Sequence, residues 1–277
     1  MSAPEIVAAA REHYRHARWD QAYALLEPAL AAAGDPLEAA CLKVGLVEVW
    51  NWEDLKRGLQ SGRDKLALLD EAQADLDEAD DRALLARAAF ERGMALHAAY
   101  LLADAPTDGE LACFVSAAEL HEAEGDLESA AMALALAGVY HHVVELDRAT
   151  AQPLLVRAHG LPPQDGAPSL ARAEAARHLG QILQELGDHD GSIRFLTESV
   201  EIRERAGYPI NLPSAYHALA YALLEAGDLA GAAARIAQAR EWGERTGSRF
   251  PLAMIKRTEA DLELAELAPA LWRRSHP

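Results

Sequence analysis

Histidines recur inside the apolar, helix-like segments of this 277-residue chain. Five of the eleven fall there: His97, His141, His142, His178 and His217. Neutral imidazoles presented by adjacent helices are good ligands for zinc, copper, nickel or iron. We therefore identify His97, His142 and His178 as candidate ligands of a transition metal. The alternative is that His141 packs in a helical core and that the others are separate polar residues on a solvated surface.

Tyrosines and a glutamine accompany these histidines. Tyr216 and His217, followed by Tyr221, would present one ring or imidazole per helical turn. Such a surface suits an apolar peptide or a flat small molecule with a few hydrogen-bonding groups, although Tyr216 is better explained as the bulky core residue of its hairpin. The candidate ligand-binding residues are His97, Tyr100, His142, His178, Gln181, His217 and Tyr221.

The sequence lacks the signatures of common catalytic sites. It contains no G-x-x-x-x-G-K-[ST] loop, no G-x-G-x-x-G turn and no G-x-S-x-G elbow. His121-Glu122 begins a zinc-protease pattern, but Gly125 stands where the second histidine is required. The two cysteines, Cys41 and Cys113, form no Cys-x-x-Cys pair. We therefore predict no catalytic residues and favour a protein that is not an enzyme, with catalytic activity left open.

The segments that carry these residues repeat along the chain. HLGQILQELGDHDGSIRFLTESVEI, which begins at His178, aligns with ALAYALLEAGDLAGAAARIAQAREW, which begins at Ala218, at an offset of 40 residues. A Gly-Asp pair divides each copy, at Gly187-Asp188 and Gly227-Asp228. Glycine in the left-handed conformation ends a helix, and aspartate caps the next one. Each copy therefore predicts two helices joined by a tight turn.

Small residues mark the places where the two helices of a pair cross closely. Gly180 and Ala220 hold the same position in the two first helices, where a small side chain lets the second helix approach. Weaker copies extend backward to residue 10, and a last helix is predicted from about residue 252 to 268. Hairpins this short bury too little apolar surface alone and must stack on their neighbours.

This pattern resembles the tetratricopeptide repeat, in its longer variety of about 40–42 residues. The resemblance covers nearly the whole chain, strongly from Ser169 to Gly247 and loosely before. It implies an all-α, tetratricopeptide-like superhelical solenoid of about six helical hairpins plus a C-terminal capping helix. This solenoid would form one domain over residues 1–277, with a soft hinge at 159–169. Its first helices would line a concave groove, with His97 and His142 pointing into it and His178 and His217 near its wall.

The charge balance limits the partners. The chain has 44 acidic against 26 basic residues, a formal charge of −18 and a pI near 5.0. Nucleic acid and anionic membranes are disfavoured because both bind clustered Lys and Arg. The amino terminus has no basic start followed by an apolar core, and no window of about 18 uncharged apolar residues occurs. We predict a cytoplasmic protein with a protein or peptide partner, favoured to be basic.

Three functions follow from these observations. The first is a non-catalytic scaffold that holds a peptide or protein partner in the concave groove and carries no cofactor. The second is a small-molecule- or metal-binding protein, which includes an enzyme, that uses the groove histidines and tyrosines with a transition metal as cofactor. The third is a sensor or regulatory protein that acts through a partner protein. Unpaired ends of a solenoid often associate, which leaves a homo-oligomer open.

Overall fold

The computed structural model describes residues 1–163 and 166–275, with side chains through residue 272. Over this part of the chain there are fourteen α-helices and no β-strand, which confirms the all-α prediction. The helices are α1 (Ala3–Tyr14), α2 (Trp19–Ala32), α3 (Pro36–Arg57), α4 (Lys65–Ala79), α5 (Arg82–Ala103), α6 (Glu110–Ala123), α7 (Leu127–Val139), α8 (Arg148–Gly160), α9 (Leu170–Glu185), α10 (His189–Arg205), α11 (Leu212–Glu225), α12 (Leu229–Thr246), α13 (Arg249–Leu267) and α14 (Pro269–Ser275). A π-helical turn (Tyr140–Val144) continues α7, and a 3-10 turn (Pro209–Asn211) precedes α11.

The helices pack in chain order, each odd-numbered helix against the even-numbered helix that follows it. Neighbouring pairs also contact one another, as α7 does with α9 and α11 with α13. The predicted stack of consecutive helical hairpins is therefore confirmed at the level of an all-α solenoid. The last predicted helix is α13, and the short α14 pairs with it.

The turns between paired helices have the predicted geometry. Gly187 is left-handed with φ at 78°, and the Asp188 carboxylate accepts from the backbone N–H of Gly191 at 3.0 Å. The turn at Gly227-Asp228 repeats both features. Local residue types therefore determine where these helices end and begin.

Glycines in the first helices allow the close crossings. A Cβ at Gly180 would lie 2.7 Å from Leu196 Cγ on α10, and one at Gly138 would lie 2.8 Å from Leu155 Cγ on α8. Both distances are shorter than van der Waals contact, so a larger side chain would force the second helix away. The small residues thus have the packing role that the sequence predicted.

The stack of helices curves so that its amino-terminal hairpins contact its carboxyl-terminal half. The backbone N–H of Ile210 donates to the Arg15 carbonyl at 3.3 Å, and Arg15 Nη2 donates to the Ala206 carbonyl at 2.8 Å. The Trp52 ring on α3 meets the Tyr208 ring edge-on, with 6.4 Å between centroids. Helix α3 also contacts α13. This closure brings residues of α3 and the turn after α1 against the segment that follows α10, and the repeat pattern did not predict it.

Two segments singled out by the sequence have a defined setting in the fold. Leu127–Val144 is long and apolar enough to cross a membrane by length and composition, with a mean hydropathy of 1.2, but 56% of it is buried inside the protein, as in a core helix. The predicted hinge at 159–169 joins α8 to α9, and these two helices contact each other. Residues 164 and 165 of that hinge lie outside the described part.

Candidate functional site

Ionisable side chains are buried along the first helices of the hairpins. Each of the following has less than a tenth of its surface exposed: Glu48, Glu53, Asp54, Lys56, Glu91, His97, His142 and His178. A buried charge is costly unless it is paired or hydrogen-bonded. The partners of each group therefore indicate whether hydrogen bonds and ion pairs within the protein compensate its buried charge, or whether a bound ligand would have to do so.

Two of the candidate histidines meet. His142 Nδ1 lies 3.1 Å from His178 Nδ1, and the two rings are nearly perpendicular. Arg177 Nη2 lies 2.6 Å from His178 Nε2, and because a guanidinium can only donate, that nitrogen accepts. His178 Nδ1–H then donates to His142 Nδ1, and His142 Nε2–H donates to Glu185 Oε1 at 3.1 Å. The four side chains form one directed chain of hydrogen bonds.

Both imidazoles are placed by adjacent first helices. His178 lies mid-way along α9, whereas His142 belongs to the π-helical turn that continues α7. Burial, followed by the positive charge of Arg177, lowers the pKa of His178 to about 3, so this ring is neutral at physiological pH. Single π-turns inside helices often occur at functional sites, and the residue pattern did not predict this one.

His97 lies apart from that pair. Its Nδ1 is 2.8 Å from Glu110 Oε1 at the start of α6, and Glu110 is fully buried with its Oε2 unpartnered. Across the described residues, no group of three or more His, Cys, Asp or Glu side chains is arranged to hold a metal ion. The structure therefore brings together His142 and His178, two of the three metal candidates, and directs His97 toward α6.

The other predicted binding residues lie along α11, α9 and α5. His217 Nε2 is 2.8 Å from Thr258 Oγ1 on α13, and burial, reinforced by Arg177, lowers the pKa of His217 to about 4. Tyr221 is half-buried, and burial together with the negative charge of Glu225 raises its pKa. Tyr100 and Gln181 are also partly exposed, on α5 and α9.

A polar stripe crosses the carboxyl-terminal ends of α7, α9 and α11. We define it by five residues: His142, Gln184, Glu185, Tyr221 and Glu225. Gln184 Nε2 donates to Glu225 Oε2 at 2.7 Å, which links α9 to α11. The Glu185 side chain is 46% exposed and also pairs with Arg148 at 3.3 Å.

Two members of the polar stripe, His142 and Tyr221, were predicted from the sequence, and its carboxylates were not. Glu185 and Glu225 are 40 residues apart, the offset of the repeat, so they occupy one equivalent position. That equivalence was visible in the two aligned copies. A comparison of equivalent positions in the two aligned copies would have identified Glu185 and Glu225.

A second buried cluster lies between α1, α3 and α5. Glu48 accepts from Arg11 Nε and from the Tyr14 hydroxyl, both at 2.7 Å. Burial opposes ionisation of Glu48, but the charge and hydrogen bonds of Arg11 outweigh it and lower its pKa to about 2. Glu91 Oε2 accepts from Asn51 Nδ2 at 2.8 Å, and burial followed by the charge of Glu48 raises the Glu91 pKa to about 8. The cluster therefore favours the ionised form of Glu48 and the protonated form of Glu91.

No protein-family model matches this chain, and no curated protein matches it significantly. The contacts described above are therefore the basis for a functional proposal.

Proposed function

We propose that this protein is a non-catalytic binding module, a tetratricopeptide-like stack that holds a basic peptide or a basic segment of a protein partner. The polar stripe is the observation that carries the proposal. It places Glu185 and Glu225 at equivalent positions of successive hairpins, at the ends of the first helices. The partner's cationic side chains bind these carboxylates.

The electrostatics of the polar stripe favour a cation. The carboxyl-terminal end of a helix carries a partial negative charge, which adds to that of Glu185 on α9 and Glu225 on α11. The formal charge of −18 steers basic partners toward the protein and repels acidic ones. Glu185 also retains enough exposure to meet a partner without unfolding.

The spacing of the helices defines the partner more closely. Packed helices lie about 8–10 Å apart, and a peptide in the polyproline II conformation advances about 3.1 Å per residue with three residues per turn. Cationic residues three positions apart in such a peptide lie on one side, about 9 Å apart, and therefore match carboxylates on successive first helices. We expect a preference for peptides with a Lys-x-x-Lys or Arg-x-x-Arg pattern.

Fluorescence anisotropy with labelled peptides tests this proposal. A Lys-x-x-Lys peptide should bind more tightly than a peptide of the same composition with adjacent lysines, and binding should weaken as salt is added. The Glu185→Gln/Glu225→Gln variant should bind at least about tenfold more weakly, because two charge-assisted contacts are lost. Glu78→Gln/Glu124→Gln is the matched control, since it makes the same charge change at exposed residues elsewhere. Equal affinity of the two double variants, or no preference between peptides, would contradict the proposal.

The second candidate function is metal or small-molecule binding at the histidine pair. The 3.1 Å between His142 Nδ1 and His178 Nδ1 suits two ligands that each lie about 2.1 Å from one zinc ion. Glu185 holds the other nitrogen of His142, as carboxylates behind zinc ligands do. His178 Nδ1 would have to release its proton, and further ligands would have to come from solvent or a bound molecule.

Native mass spectrometry tests the metal alternative. With added zinc, this alternative predicts a mass increase of one zinc ion that a chelator removes. The increase should vanish in His142→Ala/His178→Ala and persist in His97→Ala, because His97 lies against α6. A mass that zinc leaves unchanged, or a zinc adduct that survives in the double variant, would rule out this site.

A further inference from the structure

An arginine from the loop between α3 and α4 lies over two aromatic rings. The Cζ atom of Arg63 is 5.1 Å from the centre of the Tyr23 ring and 5.4 Å from the centre of the Trp50 ring. A guanidinium within about 6 Å of the centre of an aromatic ring is attracted to the negative face of that ring. Two rings therefore hold one cation at this place.

A buried carboxylate completes this arrangement. Glu53 is 6% exposed, and its Oε2 accepts from Arg63 Nη1 at 2.7 Å. The Tyr23 hydroxyl accepts from the same Nη1 at 2.8 Å and donates to the same carboxylate oxygen. We name Tyr23, Trp50 and Glu53 the cation cage, since together they offer two aromatic faces and one negative charge.

The cation cage is held by helices, whereas its occupant comes from a loop. Tyr23 is on α2, and Trp50 and Glu53 are on α3. These two helices contact each other, and both rings pack against the buried core of the amino-terminal hairpins. Arg63 belongs to the connection between α3 and α4, in which residues 58–62 and residue 64 are exposed. The cation cage can therefore keep its shape when the loop moves.

Free space adjoins this loop. A cavity of about 400 Å³ is lined by loop residues 60–64 and by side chains of α5, which include Ala95, Ala99 and Leu102. Arg63 is itself one of the lining residues. The loop is thus not packed closely against α5, which leaves room for Arg63 to withdraw from the cation cage.

Glu53 needs a cation whether or not Arg63 supplies it. Burial opposes ionisation of Glu53, but hydrogen bonds from Tyr23 and Arg63 outweigh it and lower its pKa, so the carboxylate is ionised at neutral pH. Without Arg63, its Oε2 and the two rings would lack their cation. Another guanidinium would restore these contacts better than an ammonium, because it is planar, weakly hydrated and able to stack on a ring while it donates in its plane.

We propose that the cation cage binds an arginine side chain of a protein or peptide partner, and that Arg63 occupies it in the free protein as an internal competitor. The inference rests on the proposed function for the source of the arginine, a basic partner, but no residue of the polar stripe takes part. A group on a short flexible tether competes at an effective concentration in the millimolar range. The partner's arginine therefore binds more weakly while Arg63 is in place.

Arg63→Ala empties the cation cage and tests it with a small probe. N-acetyl-arginine methylamide should raise the Tm of this variant by about 3 °C once the probe exceeds its Kd tenfold. The wild type should need at least about tenfold more probe for the same rise, because Arg63 competes. N-acetyl-lysine methylamide should have a smaller effect on the variant. Equal responses of the two proteins, or of the variant to the two probes, would overturn the proposal and leave peptide binding by the polar stripe unaffected.

Arg57→Ala is the matched control. Arg57 pairs with Oε1 of the same Glu53 carboxylate at 3.0 Å, so its removal takes away one arginine but leaves Arg63 in the cation cage. This variant should respond to the arginine probe as the wild type does. A rise as large as that of Arg63→Ala would show that the probe binds Glu53 without the cation cage, which contradicts the proposal.

Arg63→Lys provides a second variant that keeps a positive charge beside Glu53, so it tests the proposal even if Arg63→Ala fails to fold. Lysine lacks the planar group that stacks on the rings and is the weaker competitor. The arginine probe should therefore bind Arg63→Lys more tightly than the wild type. Unchanged or weaker binding would contradict the role of Arg63 as an internal competitor.

Discussion

Replacing Glu174 with glutamine is expected to lower the free energy of unfolding by about 3–5 kcal/mol, because it leaves buried cations without their counter-charge. Although burial opposes ionisation, the charges of Arg177 and Arg203 hold the pKa of Glu174 well below its usual range. The Arg203 guanidinium is almost wholly buried, so water cannot replace the lost carboxylate. Urea unfolding followed by circular dichroism measures the loss.

Glu198→Gln is the matched control for this variant. Glu198 also has two basic partners, Arg172 at 2.6 Å and His159 at 3.0 Å, but its side chain is more exposed, at 26% against 17% for Glu174. Its loss should stay below about 1 kcal/mol because solvent screens its ion pairs. Similar losses in the two variants would show that the deeper burial of the Glu174 ion pairs adds nothing to their contribution to stability.

The second large effect is a dependence of stability on pH that Glu91 produces. In the folded protein its pKa is raised from 4.5 to about 8, so between these values the folded state keeps a proton that the unfolded chain has released. Stability contributed by this group is therefore complete below pH 4.5 and falls as the pH rises toward 8. The total change is on the order of 4 kcal/mol.

Glu91→Gln isolates that dependence. The amide oxygen can still accept from Asn51 Nδ2, and the side chain has no proton to lose. The variant should equal the wild type near pH 4.5 and exceed it increasingly toward pH 8. Other groups oppose this trend: the lowered pKa of Lys56, for example, makes stability rise with pH between about 7 and 10.5. Their contributions cancel when the free energy of unfolding of the wild type is subtracted from that of the variant. A difference that stays constant with pH would show that Glu91 is ionised in the folded protein.

Much of the fold was predictable because its determinants are local. A helix end depends on residues within one turn of it, so the Gly187-Asp188 turn could be recognised from two residue types. The close helix crossing at Gly180 requires only a small residue at that position. A small residue recurs 40 positions later, at Ala220, so the crossing could be recognised from the sequence. All-helical hairpins and their order followed from the sequence alone.

The candidate site was predictable only in part. His142 and His178 were identified as residues that could meet, because first helices of successive hairpins are neighbours in such a stack. His97 faces the start of α6 and pairs with Glu110, since its direction depends on where α6 begins. The π-helical turn that carries His142 shifts the side-chain register by an amount that periodicity does not encode.

The sequence by itself determined the all-α class, the succession of hairpins and the residue types that line their first helices. Only the tertiary structure decided that Arg15 reaches Ile210 and that α3 lies against α13. That closure is the sum of small rotations at every interface between hairpins, each set by many side chains at once. Burial inside the packed stack removes water from Lys56, Glu91 and His178 and so gives ordinary residue types their shifted pKa values.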